Sequence, residues 1–355
     1  MLSSKGSERA STLPGMSSVD GRQDEPLTIA QIAKRAGVSV ATVSKVVNGR
    51  ADVAPATRSL IEDIIRRHGY RRQKAAGPAA LLELVFHEVR GPYPTEIFRG
   101  VRRVAVEHQL AVVVSELRGD HTPGRDWVAG VLARRPVGVI SVFAGPSDEQ
   151  AEQLRTRGIP FALVDPTGYP SHGAPSVSAS NWSGGLSATR HLLELGHRRI
   201  AVITGPEHAL AGRARLDGYR AALDMAGIPI DPALVRIGDF QILDGLKHTR
   251  DLLRLPEPPT AVFAGNDGQA LGVYRAAVEA GIRVPEDLSV VGFDDLFPSR
   301  WLTPPLTTVR QPLAEMAATA AGMVIALAQG RPLERGREEL ATELVIREST
   351  ARFRG

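Results

Sequence analysis

Cysteine is absent from the 355-residue chain, which excludes disulfide bonds and thiolate metal sites and fits a reducing compartment. Long hydrophobic runs are also absent, since no stretch reaches the roughly 18 apolar residues that a membrane-spanning helix needs. The first 26 residues are polar and lack the apolar core of a signal peptide. We therefore expect residues 1–26 to be a disordered tail, and we expect a cytoplasmic protein without a membrane partner.

The sequence also lacks the short motifs of common enzymes. It contains no GxSxG nucleophile elbow, no GxxxxGKS or GxxxxGKT phosphate loop and no HExxH zinc site. The pair Gly184–Gly185 opens a helical pattern, but the glycine spacing of a dinucleotide site is missing. The sequence thus predicts a protein that is not an enzyme and that holds no cofactor or metal.

What the chain does contain is an uneven distribution of charge. The formal net charge is +4, but residues 27–74 carry ten Lys or Arg and three acidic residues, a net charge of +7. The remainder of the chain is mildly acidic. A basic N-terminal segment is the electrostatic signature of a module that binds phosphate groups. The length of the chain fits two or three domains.

The segment from Thr28 to Asn48 predicts two short helices joined by a tight turn. Apolar residues recur in its first half at the spacing of one buried helical face. These residues are Ile29, Ile32, Ala33 and Ala36. Gly37 supplies the positive φ that ends the first helix, and Ser39 is placed to cap the second helix.

The second helix has an apolar and a polar face. Val43, Val46 and Val47 face inward, which leaves an outer face that is small, polar and basic. The outward residues are Val40, Ala41, Ser44, Lys45 and Asn48. A second helix with such a face, held at a fixed angle to the first, is typical of a DNA-binding helix-turn-helix.

The stretch TIAQIAKRAGVSVATVSKVVNG resembles the DNA-binding head of the lac repressor family of bacterial transcription regulators. The similarity continues through a third helix to Tyr70, so we place a three-helix head at residues 27–72. The resemblance implies that Val40, Ala41 and Lys45 read base edges of a double-stranded DNA operator. Relatives commonly carry Arg where this chain has Lys45. The resemblance also implies phosphate contacts from Thr28, Thr42, Ser44 and Asn48.

Residues 73–80 are predicted to link the head to the rest of the chain. Relatives carry a short hinge helix here, with a Leu that enters the DNA minor groove. In this sequence Gly77 and Pro78 oppose a helix, and the first leucines, Leu81 and Leu82, already begin a strand pattern. We therefore do not carry the minor-groove contact over to this chain.

From Leu81 onward, short apolar strands alternate with helical segments. Nearly continuous apolar strands with intervening helices indicate an α/β fold with parallel sheets covered on both faces. The resemblance implies a periplasmic-binding-protein-like body of two lobes at residues 81–350. The first lobe is predicted at about 81–178 and 312–335, and the second at about 180–296 and 340–348. The three crossings between them are expected near Ala179, within Phe297–Val309 and near Glu339.

Polar residues that follow the strands are candidates for ligand binding, because ligands of such sheets bind beyond the carboxyl ends of the strands. The resemblance assigns an effector site to Asp165, Arg213, Phe240, Asn266 and Asp294. Paired donors and acceptors beside an aromatic ring suit a carbohydrate. In the alternative interpretation, the two aspartates cap strand ends, Arg213 forms a surface salt bridge and Phe240 belongs to the core.

Other polar residues near these strand ends are assigned less directly. Those after the first strand lie at a position that varies with the ligand. They are His87, Glu88, Arg90 and Tyr93. Asp267 and Asp295 are predicted to cap the segments that follow them rather than to bind the ligand.

Together these features predict a homodimeric, sugar-responsive transcription repressor that reads a pseudo-palindromic operator. A small-molecule effector, expected to be a carbohydrate, would bind between the lobes and move the dimer surface that spaces the heads. Two alternatives remain open at this point. One is a regulator of the same fold that responds to a purine or another corepressor, and the other is a sugar-binding protein that does not bind DNA.

Overall fold

The computed structural model describes residues 27–47, 53–68, 78–117, 124–168 and 173–354. At residue 78 the chain divides into two compact units, an N-terminal unit and a body. The predicted tail at residues 1–26, Asn48 and the linker residues 73–77 lie outside the described residues. Within the described ranges, no helix is both long and apolar enough to cross a membrane.

The described part of the N-terminal unit consists of three helices, α1 (Ile29–Ala36), α2 (Val40–Val47) and α3 (Pro55–His68). They pack around one small apolar core. Its buried members are Leu27, Ile32, Ala33, Val43, Val46 and Ile61. Since residues predicted to face inward supply most of this core, the predicted three-helix head is confirmed.

Local hydrogen bonds fix the start of α1 and the turn between α1 and α2. Thr28 caps α1, because its Oγ1 accepts from Gln31 N at 3.3 Å and its own N–H donates to Gln31 Oε1 at 2.8 Å. Gly37 ends α1 with a φ of 65°. Ser39 Oγ accepts from Thr42 N at 3.1 Å at the start of α2. The predicted roles of Gly37 and Ser39 are therefore confirmed.

The body alternates strands and helices along nearly its whole length. Its described elements, in chain order, are β1 (Ala79–Phe86), α4 (Tyr93–Glu107), β2 (Ala111–Glu116), α5 (Arg125–Arg134), β3 (Pro136–Val142), α6 (Asp148–Thr156), β4 (Phe161–Val164), β5 (Ser176–Ala179), α7 (Asn181–Glu194), β6 (Ile200–Thr204), α8 (Leu210–Met225), β7 (Val235–Ile237), α9 (Ile242–Leu252), β8 (Ala261–Ala264), α10 (Asp267–Glu279), β9 (Ser289–Asp294), β10 (Thr307–Arg310), α11 (Leu313–Ala328), β11 (Arg337–Leu340) and β12 (Glu343–Val345). Short 3-10 helices lie at Pro232–Leu234 and Phe297–Trp301. Because β1 begins at Ala79, the last two residues of the predicted linker belong to a strand.

The first lobe is built on a parallel sheet in the order β11-β5-β4-β3-β1-β2. Helices α4 and α11 cover one face, where Leu82, Ile97 and Met316 meet in a buried core. The other face packs against α5 and α6 through Val131 and Leu154. This lobe therefore has the two covered faces that its apolar strands predict.

The second lobe has a sheet in the order β12-β10-β9-β8-β6-β7, parallel except for β12, which runs antiparallel to β10. Helices α7 and α8 cover one face around Tyr219 and Phe293. Helices α9 and α10 cover the other face around Leu252 and Val273. The predicted α/β body with parallel sheets is confirmed.

Three connections join the two sheets in the described body. The chain leaves the first sheet after β5, which ends at Ala179. The sequence predicts the second crossing within Phe297–Val309, but β10 is still a strand of the second sheet, so the chain crosses at Gln311 and Pro312. The strand was missed because it has four residues and follows a Pro pair that disrupts the apolar pattern.

The third crossing also lies later than predicted. Glu339 is paired within β11 of the first sheet, so the chain passes to the second sheet at residues 341–342. After β12, Ser349 packs beneath the second lobe, where its hydroxyl donates to the carbonyl of Val290. We therefore propose lobe limits of 79–179 with 313–340, and 181–310 with 343–354.

Candidate functional site

A cleft of about 510 Å³ opens between the two lobes of the body, beyond the carboxyl ends of the strands. This is the place where ligands bind in sheets of this type, and the volume is that of a small-molecule site. Its polar lining includes Asp165, Arg215, Asn266, Asp267, Asp294 and Gln311. Its aromatic lining includes Phe86, Tyr93, Phe143 and Phe240.

Arg215, on α8, is the buried cation of this cleft. Its Nε donates to Asn181 Oδ1 at 2.9 Å, and its Nη1 donates to the carbonyl oxygen of Gly265 at 2.6 Å. The guanidinium stacks on Phe293 at 3.8 Å from the ring centroid and lies 3.8 Å from Asp294 Oδ1. These contacts fix the plane of the guanidinium, so its remaining donors have a defined direction.

Asp165 and Tyr93 form a pair on the first-lobe wall. The Tyr93 hydroxyl donates to Asp165 Oδ2 at 3.0 Å, and the Tyr93 ring stacks on Phe143 with centroids 5.2 Å apart. Burial raises the pKa of Asp165 above its usual value, although Arg215, the Tyr93 hydroxyl and the Ala179 N–H act in the opposite direction. Burial, reinforced by Asp165, holds the pKa of Tyr93 well above its ordinary value, so the phenol stays a donor.

Asp294 ends β9 and faces the cleft from the second lobe. Gln311 Nε2 donates to Asp294 Oδ1 at 2.6 Å. Burial raises the pKa of Asp294 to about 7, even though Arg215 and the Gln311 hydrogen bond lower it. A carboxyl group near half-protonation at neutral pH can accept from or donate to a polar ligand.

Asn266 and Phe240 are connected on the second-lobe side of the cleft. Asn266 caps α10, since its Oδ1 accepts from Gln269 N at 2.7 Å. Its Nδ2 donates to the carbonyl oxygen of Phe240 at 3.0 Å and so holds Phe240 at a φ of 57°. The Phe240 ring lies against Gly205, where an added Cβ would come within 2.0 Å of the ring. Phe240 therefore lines the cleft as a half-buried ring and not as a core residue.

The assignment of Arg213 needs correction. The side chain of Arg213 is exposed and does not line the cleft, whereas Arg215 is buried within it. Two positions along a helix turn a side chain by about 200°, so both residues cannot face the same way. Arg215 shares a helical face with Tyr219 and Gly212, both of which are buried, and this face packs toward the interior of the lobe.

Asp267 and Asp295 hold the second lobe together, but neither caps the following segment as predicted, because Asn266 caps α10 and Leu296 is the N-cap residue of the 3-10 helix at Phe297–Trp301. Asp267 Oδ1 accepts from the Thr308 hydroxyl at 2.6 Å, and its Oδ2 accepts from Leu296 N at 2.8 Å. Burial raises the pKa of Asp267 well above its usual value, and Asp294 adds to this. The buried carboxylate of Asp295 pairs with three guanidinium groups. These belong to Arg300, Arg310 and Arg347.

Sequence reasoning missed Gln311 and Asn181, which position Asp294 and Arg215. No motif marks Gln311, and the sequence predicts a connection between the lobes where β10 precedes it. Tyr93, which the sequence places after the first strand without a specific role, donates to Asp165 directly. His87, Glu88 and Arg90 also line the cleft.

In the N-terminal unit, α2 presents the predicted outer face. Val40 is 52% exposed, and Ala41 and Lys45 are exposed on the same helix. Thr42 and Ser44 are half-buried, and the hydroxyls of Thr42 and Ser39 lie 2.9 Å apart. Thr28 lies at the N-terminus of α1, where its side chain forms the capping box. Asn48 lies outside the residues that the structure describes.

A helix-turn-helix unit in one chain with a two-lobed α/β body and a ligand-sized cleft defines a ligand-responsive transcription regulator. The chain belongs to the lacI family of bacterial regulatory proteins, whose family model matches residues 28–73. A second family model, described as a periplasmic binding protein-like domain, matches residues 189–350. Members of this family are DNA-binding transcription regulators and not enzymes.

Characterised relatives match over almost their full length. The chain is 32% identical to the HTH-type transcriptional repressor CytR of Escherichia coli over 335 residues, covering 93% of this chain and 98% of that protein. A complex of the transcriptional regulator CelR with cellobiose is similar at a TM-score of 0.70 and 34% identity, covering 91% of this chain and 99% of that one. The lac repressor dimer bound to operator and the anti-inducer ONPF is similar at a TM-score of 0.68 and 30% identity, covering 92% of this chain and 100% of that one.

Proposed function

We propose that this protein is a homodimeric transcription repressor whose affinity for an operator is controlled by a sugar-like molecule bound in the cleft. The observation that carries the proposal is the combination, in one chain, of a helix-turn-helix unit with a cleft lined by Asp165, Arg215 and Asp294. The similarity to a cellobiose complex supports the sugar effector, and the similarity to an operator-bound dimer supports operator binding. Because a transcription regulator must reach its operator DNA, we infer that it acts in the cytoplasm.

On the DNA side, α2 would lie in the major groove. Val40, Ala41 and Lys45 would contact base edges, since they are exposed on its outer face. A Lys can donate to guanine O6 or N7 but lacks the planar fork of Arg. Thr28, Thr42, Ser44 and Asn48 would contact phosphates. Two heads in a dimer would read half-sites spaced by about one helical turn.

On the effector side, carboxylate acceptors and a guanidinium would recognise neighbouring hydroxyl groups. Asp165 offers acceptors from the first lobe, and Asp294 and Arg215 offer acceptors and donors from the second. The Phe240 ring would lie against the apolar face of a sugar, with Asn266 fixing its backbone. Arg215 takes the role that the sequence assigns to Arg213.

The effector would act by favouring one angle between the lobes. Gln311 lies at a crossing between them and bonds Asp294 of the cleft, so a ligand at Asp294 acts directly on a crossing segment. A change in lobe angle would move the dimer surface and hence the spacing of the heads. A coupling of about 1–3 kcal/mol changes operator affinity by about 5–150-fold, enough for a switch.

A second candidate effector is a purine. The stacked rings of Tyr93 and Phe143 in the cleft wall provide an aromatic surface on which a base could stack. The two candidates differ in chemistry, since the acidic floor formed by Asp165 and Asp294 favours a ligand rich in hydroxyl donors.

The test combines operator selection with a ligand screen. The full chain would first be used to select its operator from random duplexes, and sugars and purines would then be tested for a rise in Tm. We expect a sugar to raise the Tm and to change operator affinity at the same concentration. A chain that selects no duplex would contradict the DNA half of the proposal. Binding of purines alone would replace the sugar with the second candidate.

A further inference from the structure

A buried carboxylate lies where the second lobe passes into the crossings. The side chain of Asp295 is 1% exposed, and three guanidinium groups surround it. Arg310 Nε donates to Asp295 Oδ2 at 2.9 Å, and Arg347 Nη2 donates to Asp295 Oδ1. Burial opposes ionisation, but these two hydrogen bonds prevail and hold the pKa of Asp295 below its usual value. The lobe therefore encloses an ionised group.

This ion cluster connects the second-lobe ends of two crossings. Arg310 is the last residue of β10 and stands directly before the second crossing. Its Nη1 donates to Glu343 Oε2 at 3.0 Å, and Glu343 is the first residue of β12, directly after the third crossing. Arg310 and Glu343 are also partners in the antiparallel pairing of the two strands. One guanidinium thus joins Asp295 to both crossing segments.

The third crossing is bonded in turn to the first. The Ser180 N–H donates to the carbonyl oxygen of Leu340 at 2.8 Å, and Thr342 Oγ1 donates to the carbonyl oxygen of Ser180 at 3.2 Å. Ser180 directly follows β5, where the chain first leaves the first sheet. Because the three crossings are linked side by side, a restraint on two of them acts on all three.

The backbone at the cluster is strained. Asp294 and Asp295 adopt φ angles of 116° and 56°, which places two consecutive non-glycine residues in the region that favours glycine. Such a conformation persists only where the surrounding contacts hold it. Gln311 donates to the Asp294 side chain, and Arg310 donates to the Asp295 side chain. Two adjacent residues of the turn are therefore held by two adjacent residues at the second crossing.

We propose that Asp295, Arg310 and Glu343 form a clamp that fixes the angle between the lobes by holding the strained turn to the second-lobe ends of two crossings. Asp295 is a positioning residue in this clamp, since it does not line the cleft and acts through Arg310. Without the clamp the turn relaxes, and the lobes sample a wider range of angles. The clamp is a property of the body alone, whereas its effect on the operator switch rests on the proposed function.

The test measures the distance between the lobes in the full chain without ligand. Because the chain has no cysteine, one cysteine introduced into each lobe can be spin-labelled selectively. Gln153→Cys on α6 and Lys247→Cys on α9 use exposed positions of the first and second lobe. Pulsed electron paramagnetic resonance gives the distribution of distances between the labels, and dilution with unlabelled chain restricts it to pairs within one protomer.

The first variant to compare with this labelled parent is Asp295→Asn. Asn tolerates the left-handed backbone as Asp does, so the substitution removes the charge and keeps the turn. We expect it to widen the distribution of distances by about twofold or more, because hinge segments absorb changes in lobe angle.

Glu343→Gln tests the clamp at a position that contributes little to stability. The Glu343 side chain is 70% exposed, and exposed ion pairs stabilise a fold only slightly. We expect this variant to keep the Tm of the parent and still to widen the distribution, by less than Asp295→Asn does. If Asp295→Asn does not fold, Glu343→Gln decides by the same criterion.

Glu83→Gln is the matched control. Glu83 is fully buried on β1 of the first lobe, where its Oε2 accepts from Arg134 Nε at 3.0 Å. Its loss removes a buried ion pair away from the crossings. We expect a lower Tm and an unchanged distribution of distances.

The outcomes separate the clamp from a purely stabilising cluster. A distribution that stays as narrow as the parent's in Asp295→Asn, whatever the change in Tm, overturns the clamp. Equal widening in Glu83→Gln also overturns it, because the loss of any buried ion pair would then loosen the lobes. An operator affinity that responds to no sugar overturns the sugar switch and leaves the clamp standing, since the distances alone decide it.

Discussion

The guanidinium of Arg215 lies 3.8 Å from the carboxylate of Asp294, and the two side chains retain exposed fractions of only 5% and 4%. Arg215 also donates to Asn181 at the start of α7 and to Gly265 after β8. One cation therefore compensates a buried acid and joins three elements of the second lobe.

We expect Arg215→Ala to abolish the effector response and to destabilise the body by about 3–5 kcal/mol, because removing one member of a buried pair leaves the other uncompensated. Urea unfolding of the full chain measures the stability, and effector titration of the operator complex measures the response. A variant that still responds normally to effector would contradict the placement of Arg215 in the site.

Arg213→Ala is the matched control. Arg213 lies two positions earlier on the same helix, and its side chain is exposed outside the cleft. Its loss should change stability by no more than about 0.5 kcal/mol and should leave the effector response intact. Equal effects of the two substitutions would show that the helix and not the cleft is being disturbed.

The raised pKa of Asp294, about 7, makes the stability of the ligand-free protein depend on pH. A carboxyl group whose folded pKa exceeds its unfolded value stabilises fully below the unfolded pKa, near 4, and loses this contribution as the pH rises through about 7. This group should therefore lower the free energy of unfolding between pH 5 and 7 by at most about 1.4 kcal/mol for each pH unit. Asp294→Asn should remove that slope.

Asp287→Asn is a control, because the pKa of Asp287 is shifted in the opposite direction to that of Asp294. A hydrogen bond from Arg283 lowers the pKa of this exposed carboxyl to about 2. Its contribution is present above the unfolded pKa and is lost only as the pH falls below about 4. Unfolding curves between pH 5 and 8 should thus keep the wild-type slope. A slope that persists in Asp294→Asn would assign the pH dependence to Asp165 or Asp267 instead.

Local patterns predict much of this fold. Gly37 and Ser39 are recognisable because a helix end needs a positive φ and a helix start needs a side-chain acceptor, and both needs arise within a few residues. The apolar strands likewise predict covered parallel sheets, since a strand such as β8 is buried on both faces.

Features that depend on distant partners are less predictable. Arg213 and Arg215 both follow the same strand, and only the packing of α8 on α7 decides which of them is buried. Gln311 donates a hydrogen bond to Asp294, which lies 17 residues earlier in the chain, and the residues around Gln311 form no pattern that predicts this contact. The positions of lobe crossings depend on strand pairing in the same way, which is why β10 was missed.

Close packing of α7 and α8 gives a prediction about glycine. An added Cβ at Gly218 would lie 2.2 Å from the Trp182 carbonyl oxygen and 2.6 Å from Leu186 N. These are backbone atoms, so Gly218→Ala must separate the two helices and should cost about 1–3 kcal/mol in urea unfolding. In Gly322→Ala, on α11, an added Cβ meets nothing within 4 Å, so this variant should be stabilised by about 0.4–1 kcal/mol.

The outer face of α2 gives a prediction about DNA reading. If Lys45 contacts a base, Lys45→Ala should cost about 1–3 kcal/mol on the preferred operator and relax the preference at one base pair. Lys34→Ala, at an exposed position on α1, removes the same charge and should leave the preference unchanged. Competition among operators that differ at single positions measures both. An equal loss of affinity for every operator in Lys45→Ala would make Lys45 a phosphate contact, and specificity would then rest on Val40 and Ala41.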